Sequence, residues 1–163
     1  FVETSLQGYT CRFVVPTRST GVTIRPEYLD ERVAATFVWY AQPFGLVAEY
    51  NIGKGPEFVS GTSSIESRSL SGGFVQAMYA FRARGQQVQP FVRLHQYSGG
   101  KKVELDARRY SVHETEAGIE WQPNPNFELT AQYTVADRLF EDAGAVGRRE
   151  KGRFLRLQAQ INY

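Results

Sequence analysis

Phe127-Glu128-Leu129-Thr130-Ala131-Gln132-Tyr133-Thr134-Val135 alternates an apolar and a polar side chain at every step. A strand turns successive side chains to opposite faces, so this stretch forms one apolar stripe and one polar stripe, whereas a helix would scatter both around its axis. Leu46-Val47-Ala48-Glu49-Tyr50-Asn51-Ile52 repeats the pattern, with Leu46, Ala48, Tyr50 and Ile52 opposed to Val47, Glu49 and Asn51. The closing segment sets Leu155, Leu157, Ala159, Ile161 and Tyr163 against Arg156, Gln158, Gln160 and Asn162. Looser versions lie at Val33–Gln42, Gly73–Arg82, Val88–Tyr97 and Tyr110–Gln122, and weaker strands are expected near Tyr9–Val15 and Gly21–Arg25. The expectation is an all-β chain of seven to nine antiparallel strands.

Connections between these strands alternate in length. Tight turns are expected at Pro43-Phe44-Gly45, Arg84-Gly85-Gln86-Gln87 and Pro123-Asn124-Pro125-Asn126, and long polar stretches at Gly53–Arg68, Ser98–Arg109 and Ala136–Lys151. Short turns at one end and long loops at the other are the pattern of an outer-membrane barrel, and counting back from a periplasmic C-terminus puts the long loops outside. Aromatic residues support this. Phe81, Trp121, Phe127 and Tyr163 fall near one set of strand ends, and Tyr50, Tyr97, Tyr110 and Tyr133 near the other, as two interfacial girdles would.

Composition excludes several classes. Mean hydropathy is negative, and the longest apolar run, Val33–Ala41, is too short and contains Thr36, so no helix can span a bilayer. Barrel strands show only alternate side chains to lipid, and such an average is compatible with them. A net charge of +2 is too small to imply a nucleic-acid partner, and the single Cys11 excludes an intrachain disulfide or a multi-cysteine metal site. No leader pattern accompanies Phe1, and a longer precursor that has lost its N-terminal part is expected.

With the apolar stripe toward lipid, the polar stripe lines a lumen. The expected pore-lining residues are Glu49, Gln76, Arg82, Arg93, His95, Glu116, Glu120, Glu128, Arg156 and Gln158. Their mixed signs predict no sharp selectivity from this segment alone. Leu155, Leu157, Ala159, Ile161 and Tyr163 resemble the C-terminal signal that the outer-membrane assembly machinery reads. No catalytic residue, metal site or cofactor is expected. His95 and His113 lack zinc-ligand spacing, Glu114 and Glu116 share a face without a pocket, and nothing supports Ser111 beside His113 as a nucleophile pair. Gly99-Gly100-Lys101-Lys102 lacks phosphate-loop spacing and reads as a loop tip that could meet lipopolysaccharide phosphates.

Several of these pieces together resemble the phosphate-selective porins O and P. They are Arg25-Pro26-Glu27; Pro43-Phe44 with Ala48-Glu49-Tyr50; Gly72-Gly73-Phe74-Val75-Gln76-Ala77; Gly118-Ile119-Glu120-Trp121 with Pro123-Asn124-Pro125; Leu129–Tyr133; and Leu155-Arg156-Leu157-Gln158. The resemblance runs from about Gly21 to Tyr163. It implies a homotrimeric, 16-stranded barrel of the Gram-negative outer membrane, with this chain as the C-terminal part of its single domain. It also implies a water-filled channel for small solutes that prefers anions or phosphate, surrounded by outer-membrane lipid and lipopolysaccharide. This segment carries no run of alternating arginines, so the resemblance speaks for a porin more than for phosphate. The alternative is a small eight-stranded barrel that binds or adheres through its long loops and conducts nothing.

Overall fold

The computed structural model describes residues 1–17, 25–141 and 147–161. In them one antiparallel sheet holds nine strands: β1 Val2–Phe13, β2 Tyr28–Trp39, β3 Phe44–Val59, β4 Ser64–Tyr79, β5 Phe81–Ala83, β6 Gln86–Gly100, β7 Arg109–Asn124, β8 Phe127–Glu141 and β9 Gly147–Ile161. The spatial order follows the chain, β1-β2-β3-β4-β6-β7-β8-β9, and the short β5 prolongs β4 along β6. Each strand therefore pairs with its sequence neighbours, which is an up-and-down meander. Among the described residues β1 and β9 do not pair with each other, and the sheet stays open. The only helical element there is a 3-10 turn at Leu105–Ala107, and no helix is long and apolar enough to cross a membrane, which says nothing of strands.

The tight turns lie at one end of the sheet. Arg84 and Gly85 both have positive φ (51° and 82°), the two-residue hairpin geometry whose twist matches the flanking strands. At the opposite end the expected long loops are shorter than the polar sequence suggests. The stretch expected as a loop over Gly53–Arg68 is mostly strand, because β3 and β4 stay in register from Phe44↔Tyr79 to Val59↔Ser64 and leave only residues 60–63 to turn. Likewise β8 reaches Glu141, β9 begins at Gly147, and only residues 101–108 remain between β6 and β7. Backbone pairing does not require an apolar stripe, so the ladder continues where alternation has stopped. Pro56, which has no N–H to give, sits in β3 beyond Lys54, where pairing with β2 has already ended. The weak strand expected at Gly21–Arg25 is not seen at Arg25, which precedes β2, and its other residues lie outside the described ones. β1 is longer than expected, since Val2–Gly8 pairs with β2 although it shows little alternation.

Among the described residues the sheet does not cover its apolar stripe with a core. Val75, Val92, Leu94, Ile119, Trp121, Tyr133 and Val135 are exposed, while Gln76, Arg93, His95, Glu120 and Thr134 on the facing stripe are half-buried or buried. A soluble sheet buries its apolar stripe; here it is turned outward. The buried apolar cluster lies at the loop end and joins Val15, Tyr28, Phe58, Ile65 and Ala107. There the β3–β4 hairpin tip, the strand-end segment after β1 and the 101–108 loop come together. Gly100 marks a close approach there, since a Cβ on it would meet the Pro56 carbonyl oxygen at 2.2 Å and that of Ala107 at 3.0 Å.

Candidate pore wall

Directly paired residues share a face, and the register makes that face continuous. Thr36 faces Glu49 and Glu49 faces Phe74. Phe74 then faces His95, His95 faces Glu114, and Glu114 faces Ala136. A parallel row runs Val47, Gln76, Arg93, Glu116 and Thr134. Lower rows carry Arg82 against Gln87, Glu120 against Thr130, Thr130 against Gln158, Gln132 against Arg156, and Glu128 against Gln160. Every residue expected to line the lumen thus lies on one face of the sheet. The opposite face carries Leu46, Ala48, Leu129, Ala131, Leu155, Leu157, Ala159 and Ile161. Tyr163 lies outside the described residues.

The inner face curls. Lys102, in the loop after β6, forms an ion pair with Asp30 of β2 and donates to the Tyr9 hydroxyl of β1 at 3.3 Å. Strands lie about 4.8 Å apart, so β1 and β6 of a flat sheet would be separated by about 19 Å. The loop leans over the inner face to make the contact. Asp30 is fully buried and also accepts from the Arg32 guanidinium at 3.0 Å. Burial pulls the Lys102 ammonium pKa down, but its hydrogen bonds to Asp30 and Tyr9 prevail and hold it above the ordinary lysine value. The loop is further fixed where Asp106 donates its backbone N–H to the Pro16 carbonyl at 2.8 Å and where Arg108 stacks 3.5 Å from the Phe58 ring centre. Lys101 lies over the rings of Tyr110 and Phe140, at 4.1 and 4.7 Å, and pairs with Glu104. Consequently Gly99-Gly100-Lys101-Lys102 is no projecting basic tip: both glycines end β6 and are buried, and both ammonium groups have partners inside.

Several charges of this face pair with one another. Arg93 donates to Gln76 at 2.8 Å, lies 3.7 Å from Glu116 and covers the Phe74 ring at 4.9 Å. Glu114 receives Arg138 at 2.6 Å and stands 3.6 Å from His95. Gln122 bridges Glu120 at 2.8 Å and Glu128 at 3.4 Å. Half-exposed pairs of this kind contribute roughly 0–1 kcal/mol each, so they fix side-chain direction more than they stabilise the sheet. Arg156 on β9 and Arg82 on β5 have no ion pair among the described residues and are exposed. Sequence reading missed Tyr9, Asp30, Arg32, Lys102 and Arg138 because their grouping depends on the inward loop and on strand overlap beyond the alternating segments.

The outer face ends in an aromatic belt at the tight-turn end. Trp39, Phe44, Tyr79, Phe81, Trp121 and Phe127 share this face, and Phe44 meets Tyr79 edge-on with centroids 4.8 Å apart. Of the residues expected in the second girdle, Tyr50 and Tyr133 face outward, whereas Tyr97 and Tyr110 face inward. Tyr97 pairs with Gly72 and Tyr110 with Gly99, both on the inner side, and the Tyr97 hydroxyl donates to the Gly100 carbonyl. Counting by twos from Arg93 already reaches Tyr97, so parity in the sequence contained this correction.

An inside-out sheet with tight turns at one end is the geometry of a porin wall, and the family comparison agrees with it. The family model of phosphate-selective porin O and P matches residues 16–163. The chain belongs to that family. No curated protein and no solved structure gives a match. Porins O and P form channels of the outer membrane.

Proposed function

We propose that the chain is part of a 16-stranded, homotrimeric outer-membrane porin that passes small solutes by diffusion and prefers anions, phosphate among them. The carrying observation is the inverted stripe pattern. On β8 the outward apolar run is Phe127, Leu129, Ala131, Tyr133 and Val135, and Asp137 follows it on the same face. A membrane-crossing barrel strand needs about 9–11 residues, which this run supplies. The unpaired outer edges of β1 and β9 favour continuation into further strands over a closed eight-stranded barrel. A channel of this family carries no catalytic residue or cofactor in this reading.

Selectivity is assigned to the wall. Arg93 is tied to Gln76 and Glu116, while Arg156 and Arg82 are exposed without an ion pair among the described residues; of the two arginines on the full-length strands, Arg156 is assigned to meet passing anions directly. The test is reversal potential under a salt gradient across planar bilayers containing the complete porin. Arg156→Gln should lower the anion-to-cation permeability ratio modestly without altering stability, most clearly at low ionic strength, where the screening length exceeds the 8–10 Å of ordinary salt. Arg93→Gln should likewise cost little, about 0–1 kcal/mol, because its pair with Glu116 spans 3.7 Å and is half-exposed. Unchanged reversal potentials for the double variant refute the anion assignment, and a protein that never conducts refutes the porin reading.

A further inference from the structure

The outward face of the sheet changes character along one line near the loop end. On β9 the residues of this face are Arg149, Lys151 and Arg153, followed directly by Leu155, Leu157, Ala159 and Ile161. On β8 the change falls between Val135 and Asp137, on β7 between Thr115 and His113, and on β6 between Leu94 and Gln96. The boundary is in register across β6, β7 and β8 and falls one residue pair lower on β9, where Arg153 lies beside Val135, so that β9 shows three cations in succession at the rim of the apolar band. Alternate strand residues lie about 7 Å apart, so the three span on the order of 14 Å along the strand.

These cations do little for the fold. Arg149 is held by Asp137 through two donors, Nε lying 2.8 Å from Oδ1. Lys151 reaches the same carboxylate only at 3.9 Å with its side chain 71 % exposed. Arg153 has no hydrogen bond or ion pair among the described residues and is exposed. By contrast, the lysines of the 101–108 loop are committed to Asp30, Tyr9 and Glu104. Asp137 and Glu141 share this face with the three cations, so a patch of net positive charge still stands at the upper edge of an apolar band.

We propose that this patch is a docking site for the phosphorylated head group of outer-leaflet lipopolysaccharide. Lys151 and Arg153 hold the phosphates, the Asp137 pair fixes Arg149 beside them, and the acyl chains lie along Leu155, Leu157 and Ile161. Charge complementarity selects the phosphates, and continuity with the apolar stripe selects a lipid over a soluble anion. A cation beside an anionic lipid surface strengthens attachment by roughly fivefold, so losing two weakens it by on the order of 25-fold.

The proposal rests on the outer face being the lipid face. That reading is checked separately by bilayer conductance of the same preparations. The experiment titrates the complete porin, purified free of lipopolysaccharide, with lipopolysaccharide and with the same lipid after dephosphorylation. The wild type should bind the phosphorylated form at least tenfold more tightly. Lys151→Gln with Arg153→Gln should abolish that preference while conductance persists, and Arg156→Gln, on the other face, should leave it intact. Equal affinity of wild type and double variant overturns the proposal, as does equal affinity of the wild type for both lipids. If the double variant does not fold, the two-lipid comparison on the wild type decides alone. A patch that takes inorganic phosphate without preferring the lipid overturns it, and so does loss of the oligomer at unchanged lipid affinity, which would place a second copy there.

Discussion

Thr130 and Ala131 are neighbours in the chain and lie on opposite faces of β8: Thr130 pairs with Gln158 on the wall, and Ala131 pairs with Leu157 on the apolar side. Both are half-buried, so accessibility does not distinguish them; only the medium each face meets does. An arginine placed in lipid near mid-strand costs about 2–4 kcal/mol, whereas one in a water-filled lumen costs little. Ala131→Arg should therefore lower the denaturant midpoint of the folded porin by that amount, and Thr130→Arg should leave it within about 0.5 kcal/mol. Equal losses at both positions would mean that the two faces see the same medium.

Among the elements, the 101–108 loop departs furthest from what its composition suggests. It contains two lysines, one arginine and two carboxylates, yet it folds back over the inner face and joins the buried cluster of Val15, Tyr28, Phe58, Ile65 and Ala107. Asp106 and Ala107 hold positive φ values of 63° and 47°, a conformation that non-glycine residues keep only when surrounding contacts impose it. Lys102 to Asp30 is the contact that ties the loop to the far strands. Lys102→Met should leave Asp30 with Arg32 and the Tyr9 hydroxyl alone, at a cost of about 1–3 kcal/mol locally. Limited proteolysis of the folded porin reads this as faster cleavage between residues 103 and 108, and an unchanged cleavage rate would show that the ion pair does not secure the loop.

For the whole molecule, the two outer strands matter most. β9 is exposed along its entire length and among the described residues pairs only with β8, and a long free edge of this kind is a template for pairing with another strand. Closure of the proposed barrel would remove that edge, which makes β9 the strand we propose assembly reads. Its outward residues Leu155, Leu157, Ala159 and Ile161 form the regular stripe proposed as the recognition signal that ends at Tyr163. Deleting Tyr163 from the complete porin should reduce the heat-modifiable, folded species in the outer membrane several-fold at unchanged synthesis. Normal amounts of folded protein after the deletion would show that the assembly machinery reads something else.

Within Phe127–Val135 and Leu46–Ile52, the residues by themselves determined the strand type, the two faces and the side chains that share each face. Period-two alternation is a local property that needs no partner to be legible. The same reading failed at Gly53–Arg68, which pairs in register as β3 and β4 although its sequence alternates poorly: beyond the apolar band neither face must be apolar, and backbone hydrogen bonding alone carries the strand on. Tertiary structure also decided which wall charges meet. Arg93 with Glu116 follows from the β6–β7 register, and Arg138 with Glu114 from the β7–β8 register, neither of which is encoded by spacing along one strand. The inward course of the 101–108 loop, with Lys102 on Asp30, depends on the curl of the sheet bringing β1 and β2 within its reach, and a curl is a property of many strands together.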